Sequence, residues 1–341
     1  MKKICVLGAG SWGTALAVHL ANLGFPVWLW GRPEDGIDLI KSQRVNYRFL
    51  PGIEIPDNVY PETDLALALQ DIEVLVMSVP SQALRPVLQK VQEYLPPQAF
   101  LVNTAKGLEI SSGLRMSQIV WEVLGSDCRD RFAVLSGPSH AEEVSRQLPT
   151  AVTVAAYEQE TAFYFQDIFM ANYFRVYTNP DVAGVELGGA LKNIIALATG
   201  ITYGLGYGDN TAAALLTRGL AEMIRMGVAL GGDPRTFSGL SGIGDLVVTC
   251  GSQHSRNRRA GQLIGQGKNL DETLQTIGMV VEGVYTTRVV HQLAIDMKID
   301  MPITRACYQV LYEDRDPFEV VEDLMQRRKK HEVEEITGHI F

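Results

Sequence analysis

From Lys3 to about Thr178, short apolar runs rich in β-branched residues alternate with segments of helical period, and after Thr178-Asn179-Pro180 the runs stop. Ile4-Cys5-Val6-Leu7, Val27-Trp28-Leu29-Trp30, Val74-Leu75-Val76-Met77, Phe100-Leu101-Val102, Ala133-Val134-Leu135 and Ala151-Val152-Thr153-Val154 are apolar on both faces. That is the pattern of strands buried in a parallel sheet. Phe174-Arg175-Val176-Tyr177 is a weaker member of the series. Ala83 to Tyr94 and Ser117 to Leu124 carry apolar residues at helical spacing. Strands alternating with helices predict an α/β domain, a mostly parallel, doubly wound sheet over residues 1–180. Beyond it the period is helical almost throughout: Ala183 to Thr202, Thr211 to Leu230, Arg258 to Gly265, Val284 to Met297, Ile303 to Tyr312 and Pro317 to Arg328. Residues 181–330 therefore read as an all-α domain, with the boundary near Asn179-Pro180 and a charged, solvated tail at 331–341.

A chain of 341 residues, 46% hydrophobic and 20% charged, has the apolar material for two such cores. The formal charge of -9 speaks against nucleic acid or anionic lipid as a partner of the whole surface and leaves small molecules. Leu187 to Gly204 approaches membrane-spanning length, but Lys192, Asn193 and several glycines make it a buried core helix. Cys5, Cys128, Cys250 and Cys307 are scattered, and His19, His140, His254, His291, His331 and His339 show no H-x-x-x-H spacing. No disulfide framework and no metal site is expected, and the compartment is expected to be the cytoplasm.

Gly8-Ala9-Gly10-Ser11-Trp12-Gly13 follows the first strand directly and opens an apolar-faced helix that ends near Gly24. In that context G-x-G-x-x-G is the dinucleotide fingerprint of a Rossmann fold. Gly8 allows the tight turn, Gly10 the approach of a pyrophosphate, and Gly13 close packing of helix on strand, with the helix N-terminus facing the anion. At the end of the second strand, where a carboxylate selects NAD, stand Gly31-Arg32. Arg32 suits a 2′-phosphate or stacks on adenine, or else lies idle on the surface. Glu34 and Asp35 are within reach of a ribose, so NADP(H) and NAD(H) both stay open.

Four further features carry chemistry. Lys192 is the one charged residue between Leu187 and Gly204, so its ammonium meets an anion such as Asp245 or faces a ligand cleft. Lys106 follows a strand at the carboxyl edge of the sheet, where ligands of such folds bind, and is there either a ligand-facing lysine or an ordinary surface one. Asp245, after Gly242-Ile243-Gly244, is either a helix cap or an inward-pointing acid. Ser255-Arg256-Asn257-Arg258-Arg259 offers several donors just before a helix, which suits a phosphate dianion as well as a solvated basic turn.

Taken in order, Gly8-Ala9-Gly10-Ser11-Trp12-Gly13-Thr14-Ala15, Asn103-Thr104-Ala105-Lys106-Gly107-Leu108-Glu109, Ser136-Gly137-Pro138-Ser139-His140-Ala141 and Gly188-Gly189-Ala190-Leu191-Lys192-Asn193 resemble bacterial-type NAD(P)-dependent glycerol-3-phosphate dehydrogenases. Gly244-Asp245-Leu246, Ser255-Arg256-Asn257-Arg258 and Val280-Val281-Glu282-Gly283 continue the likeness, which runs from Lys3 to about Arg328. The resemblance implies a Rossmann domain, an all-helical substrate domain and an active site in the cleft between them. It implies reversible hydride transfer between NAD(P)H and dihydroxyacetone phosphate, supplying glycerol 3-phosphate for glycerophospholipid synthesis, in a homodimer. By the same resemblance Lys192 is the catalytic acid/base, and Lys106, Asn193, Asp245 and Thr249 are further active-site positions. Ser255, Arg256 and Asn257 hold the substrate phosphate, and Gly137 and Ser139 also fall at substrate positions. Ser11, Trp12, Arg32, Lys106, Ala141, Arg256, Val280 and Glu282 join Gly8, Gly10 and Gly13 at the cofactor. Trp12 stands where other aromatics are common and Ser139 where Thr is common, departures that bear on cofactor affinity. The rival readings are a two-domain dehydrogenase of a hydroxy acid or sugar acid phosphate, and a nucleotide sensor without turnover, which would have no need of Lys192.

Overall fold

The structure is a computed structural model and describes residues 2–329, so the tail read at 331–341 lies outside the described residues. The chain divides into two compact units, Met1–Ala105 with Met116–Val182, and Lys106–Arg115 with Ala183–Phe341. The division is not a single cut near Asn179-Pro180, because residues 106–115 group with the helical unit.

In the first unit β1 (Ile4–Leu7), β2 (Val27–Trp30), β5 (Val59–Glu62), β6 (Val74–Met77), β7 (Phe100–Asn103), β8 (Phe132–Ser136), β9 (Thr150–Ala156) and β10 (Phe174–Asn179) form one sheet. Its order is β10-β9-β8-β7-β6-β1-β2-β5, while β3 (Val45–Asn46) and β4 (Leu50–Glu54) make a separate pair. All neighbours run parallel except β8 with β9. The helices of this unit are α1 (Ser11–Asn22), α2 (Ile37–Gln43), α3 (Leu65–Leu69), α4 (Leu84–Val91), α5 (Met116–Leu124), α6 (Ala141–Val144) and α7 (Gln159–Phe169). Every residue of β1 and β6 is buried, as sheet strands covered on both faces must be. The sequence reading missed β5, whose Pro61 interrupts the apolar run; the strand lies at the sheet edge, where a proline is tolerated. Strand order reverses between β1 and β6, and the crevice beyond the carboxyl ends of those two strands is where such sheets bind ligands.

The second unit consists of α8 (Val182–Gly204, whose first residue belongs to the other unit), α9 (Asp209–Ala229), α10 (Asp245–Gly251), α11 (Arg256–Gly265), α12 (Leu270–Ile277), α13 (Glu282–Asp296), α14 (Pro302–Tyr312) and α15 (Pro317–Met325), with the 106–115 excursion. Its apolar core joins Leu187, Leu191, Ile194 and Ile195 of α8 to Met223, Met226, Leu246 and Val290, and takes in Leu108 of the excursion. Of the most apolar 18-residue stretch of α8, 94% is buried within the protein, as expected of a core helix. Along one flank α8 meets α11 through glycines: a methyl group on Gly200 would stand 2.1 Å from the Arg258 carbonyl oxygen, and one on Gly261 2.1 Å from that of Leu197. The two backbones therefore touch, which holds α8 rigidly.

A carboxylate of α9 lies deep in this unit. Glu222 of α9 is 2% exposed and accepts hydrogen bonds from the Ile303 N–H (2.5 Å), the Thr304 N–H (3.1 Å) and the Thr304 hydroxyl (3.0 Å), capping α14 from outside its own sequence. Burial raises its carboxyl to about 7 against an ordinary 4.5, despite those donors. A raised carboxyl favours the folded state most below its unfolded value, and the contribution disappears as pH rises through the folded value. Wild type should therefore lose about 3 kcal/mol more than Glu222→Gln between pH 5 and pH 8. Urea denaturation of both proteins at the two pH values measures this, and equal losses would refute it.

Candidate active site

The loop after β1 shows what each glycine of the fingerprint does. Gly8 has φ +109°, and a Cβ there would lie 2.8 Å from the Ser78 carbonyl oxygen at the end of β6. At Gly13 a Cβ would sit 1.9 Å from the Gly8 carbonyl oxygen, so α1 can press on its own strand only with hydrogen there. At Gly10 nothing lies within 4 Å of that position, which leaves room for a ligand against bare backbone. The N-terminus of α1 has no side-chain cap and no acidic residue in its first turn, so its N–H groups and dipole are available to an anion. The buried Trp12 Nε1 and Ser78 Oγ have no hydrogen-bond partner among the described residues. These features fit a dinucleotide pyrophosphate. Ser78 escaped the sequence reading, although its place just past a strand at the switch point was the available signal.

Around that loop the structure gathers several expected residues. Trp12 packs with Ala141, the first residue of α6, against Ala15 and Leu50. Gly137, with φ +140°, and Ser139, whose hydroxyl donates to the Gly137 carbonyl at 3.0 Å, form the turn after β8. Arg32 pairs with a side chain of its own turn. Its Nη2 and Nε reach the two carboxylate oxygens of Asp35 at 2.9 and 3.2 Å, and its backbone N–H adds a bond of 3.0 Å. The pair is exposed on the arginine side, with 65% of that side chain accessible.

The helical unit holds the charged cluster. Lys192, midway along α8, is 5% exposed, and its Nζ donates to Thr249 Oγ1 at 2.6 Å and stands 3.0 Å from Asp245 Oδ1. Lys106 donates to the other oxygen, Asp245 Oδ2, at 2.5 Å. The Thr249 hydroxyl donates in turn to the Asp245 carbonyl at 2.6 Å, four residues back along α10. Asp245 is presented by a wide turn of π type, Leu240–Gly244, a geometry frequent at functional sites. Its capping role is not realised: Asp245 is the first residue of α10, after an N-cap at Gly244, and both carboxylate oxygens go to the lysines.

Two ammoniums share one carboxylate away from water, and their protonation follows from that. Burial lowers Lys192 to about 8; Asp245 opposes the shift and the neighbouring charge of Lys106 adds to it. Burial alone would raise Asp245, but the two lysines together hold it below the usual carboxylate range. Burial thus moves Lys192 toward neutral pH while the two lysines keep Asp245 on the acid side, an arrangement that suits acid–base chemistry.

A second network supports the first. Asn193 Nδ2 lies 3.3 Å from the Gly189 carbonyl and 3.5 Å from that of Lys106. Asn257 Nδ2 donates to Asn193 Oδ1 at 2.9 Å, and Asn257 Oδ1 accepts the Gly283 N–H at 2.8 Å. A Cβ on Gly283 would be 2.6 Å from the Asn193 carbonyl oxygen, so only glycine admits α13 to this position. The expected start of the helix at Arg258 is corrected. The helix begins at Arg256 rather than Arg258, because the Ser255 hydroxyl caps it by accepting the Arg258 N–H at 3.2 Å. The Ser255 hydroxyl accepts in that bond and keeps its own O–H donor, and Asn257 Nδ2 keeps a second N–H. Arg256 Nη1 donates to the Val280 carbonyl at 3.1 Å, which brings Arg256, Val280 and Glu282 at the start of α13 to one place.

Comparison with known proteins agrees with both halves. The profile of the NAD-dependent glycerol-3-phosphate dehydrogenase N-terminus matches residues 3–162, and that of the C-terminus matches residues 181–322. The chain belongs to the NAD-dependent glycerol-3-phosphate dehydrogenase family. It is 66% identical over 337 residues to the glycerol-3-phosphate dehydrogenase [NAD(P)+] of Syntrophomonas wolfei, covering 99% of this chain and 98% of that one. To the protein of the same name from Carboxydothermus hydrogenoformans it is 54% identical, over 97% and 98% of the two chains. The crystal structure of the dehydrogenase from Coxiella burnetii superposes with a TM-score of 0.91 at 41% identity, covering 96% of this chain and 99% of that one. A ketopantoate reductase from Ralstonia eutropha, at 16% identity and TM-score 0.60, shares the fold alone. The dehydrogenase family membership thus spans the sheet domain with its glycine loop and the helical domain with its buried lysine.

Proposed function

We propose that the chain is an NAD(P)-dependent sn-glycerol-3-phosphate dehydrogenase in which Lys192 is the acid and base, and that the buried Lys192–Asp245–Lys106 cluster carries this reading. The bound nicotinamide supplies or accepts the hydride. As a ketone is reduced, negative charge grows on its oxygen, and Lys192 Nζ both stabilises that charge and gives up a proton. Asp245 and Thr249 fix the direction of that ammonium, and Asp245 keeps it charged. In the reverse direction, neutral Lys192 takes the hydroxyl proton. Lys106, with 21% of its side chain exposed, is the second cation that polarises the carbonyl. Arg256, at the positive end of α11, holds the substrate phosphate together with the Ser255 hydroxyl, whose O–H is still free to donate, and the second N–H of Asn257 Nδ2.

The pyrophosphate goes to the loop of Gly8, Gly10, Ser11, Trp12 and Gly13, with Ala141 beside it. Arg32 meets the 2′-phosphate of NADP(H) while shared with Asp35, and Asp35 serves the ribose of NAD(H), so both cofactors are used. We read the enzyme as a cytoplasmic homodimer that supplies glycerol 3-phosphate for glycerophospholipid synthesis. Four buried free thiols support a reducing compartment.

The test compares NADPH oxidation with dihydroxyacetone phosphate and with unphosphorylated dihydroxyacetone. The phosphorylated substrate should win by at least about 100-fold in kcat/KM, because binding energy on the remote phosphate orients the carbonyl. Arg256→Ala should narrow the gap by about 1.5–3 kcal/mol, the worth of a charge-assisted bond. Equal rates for both substrates in the wild type would remove the phosphate assignment.

A further inference from the structure

Lys106 reaches Asp245 as the first residue of the 106–115 excursion. The excursion 106–115 is a hairpin: Leu108 pairs with Arg115 across an antiparallel bridge, and the turn passes through Gly113 at φ +72°. Leu108 is 1% exposed in the helical core. Glu109 accepts the Ser112 hydroxyl at 2.5 Å inside the turn. At the far end, Arg115 Nη1 meets Glu186 Oε2 of α8 at 2.6 Å, with only 13% and 4% of the two side chains accessible. Glu186 lies six residues before Lys192 on the same helix, and the bridge puts Arg115 opposite Leu108, two residues from Lys106. The path from α8 back to the lysine is therefore short: one ion pair, one antiparallel bridge and two residues of backbone.

We propose that the Arg115–Glu186 ion pair is a positioning device that locks the 106–115 hairpin in register on α8 and so sets Lys106 on Asp245. An apolar contact such as that of Leu108 is non-directional and tolerates sliding, whereas a short buried ion pair fixes both distance and direction. Buried ion pairs are weak contributors to stability, since an apolar pair of similar volume often does as well, and retention of this one is explained by alignment. The charges that act on Lys192 and Asp245 come from one another, from Lys106 and from Cys250, so Arg115 and Glu186 are positioning residues. This inference rests on the reading of Lys192 as the acid and of Lys106 as its partner cation.

The consequence appears in the pH profile as well as the rate. The groups facing the Lys192 ammonium are Asp245 and Thr249 of α10, with Cys250 beside them, and Lys106 of the excursion. Lys106 is one of the influences that hold Lys192 low. A hairpin out of register carries Lys106 away and admits water, and both changes make Lys192 harder to deprotonate.

The experiment uses Arg115→Ala and the double variant Arg115→Met/Glu186→Met, which removes both charges together and so avoids an unpaired buried one. Dihydroxyacetone phosphate reduction is followed across pH, with thermal melting and NADPH affinity measured alongside. In the folded double variant kcat should fall on the order of tenfold and the alkaline limb should move to higher pH, with Arg115→Lys intermediate. Unchanged kcat and an unmoved limb in the double variant would overturn the proposal. So would a loss confined to melting temperature with the limb in place, since that is a structural role alone. Failure of the underlying reading shows separately, as a wild type without turnover or a Lys192→Ala variant at full rate.

Discussion

Lys192→Ala should abolish dihydroxyacetone phosphate reduction while leaving NADPH bound and the fold intact. General acid catalysis is worth about 100- to 10,000-fold, and the lost stabilisation of the developing alkoxide adds to it. The reasoning is structural. At 5% exposure an ammonium is expensive to keep, and α8 has no packing use for one among Leu191, Ile194 and Ile195. The fold should not suffer, because removing this lysine leaves Asp245 paired with Lys106. Lys192→Arg should not rescue, since a guanidinium holds its proton too tightly to transfer it. With Lys192 held at about 8, wild-type reduction should fall above that pH and the reverse oxidation should rise through it. Single-turnover hydride transfer at saturating substrate decides the matter: a rate within a few-fold of wild type would transfer the role to Lys106.

Asp245→Asn should be nearly as damaging, for the opposite electrostatic reason. Asp245 is what opposes burial at Lys192, so without its charge the ammonium is left with desolvation and the repulsion of Lys106. Its alkaline limb should therefore move to lower pH, the reverse of the shift expected from the Arg115 variants. A loss on the order of 100- to 1,000-fold in kcat/KM near neutrality is expected, with roughly 3 kcal/mol of stability for breaking a buried pair. A pH–rate profile whose limb stays in place would show that Asp245 does not control the lysine. Taken together, the two sets of variants bracket Lys192 from both sides.

The nucleotide half of the molecule was largely legible in the sequence. Strands buried on both faces announce themselves as unbroken apolar runs, and the glycines from Gly8 to Gly13 sat where their spacing placed them. Where a local signal was missing, elements were missed. Pro61 hid β5, and α10 begins out of Leu240–Gly244, a glycine-rich turn that reads as a loop, and continues through the β-branched Val247, Val248 and Thr249. The capping box of Asn269 and Glu272 did mark the start of α12, and it went unread. Among the site residues, Lys192 was visible as a lone charge in an apolar helix. Asp245 was ambiguous because a helix cap and a counter-ion have the same local sequence. Thr249 offered no local signal, since its role depends on a side chain 57 positions away. The same holds for Arg115 and Glu186, 71 positions apart, each of which reads as an ordinary surface charge until the fold joins them.

The excursion at 106–115 bears on how this protein can be inherited and assembled. One ammonium of the cluster is encoded within the sheet domain's stretch of sequence, while the carboxylate and the other ammonium follow much later. No single crossover between the two domains can exchange the chemistry cleanly, because a helical half grafted onto a foreign nucleotide domain arrives without Lys106 and Leu108. During synthesis the hairpin likewise emerges long before α8 and must wait for the helix that will receive it.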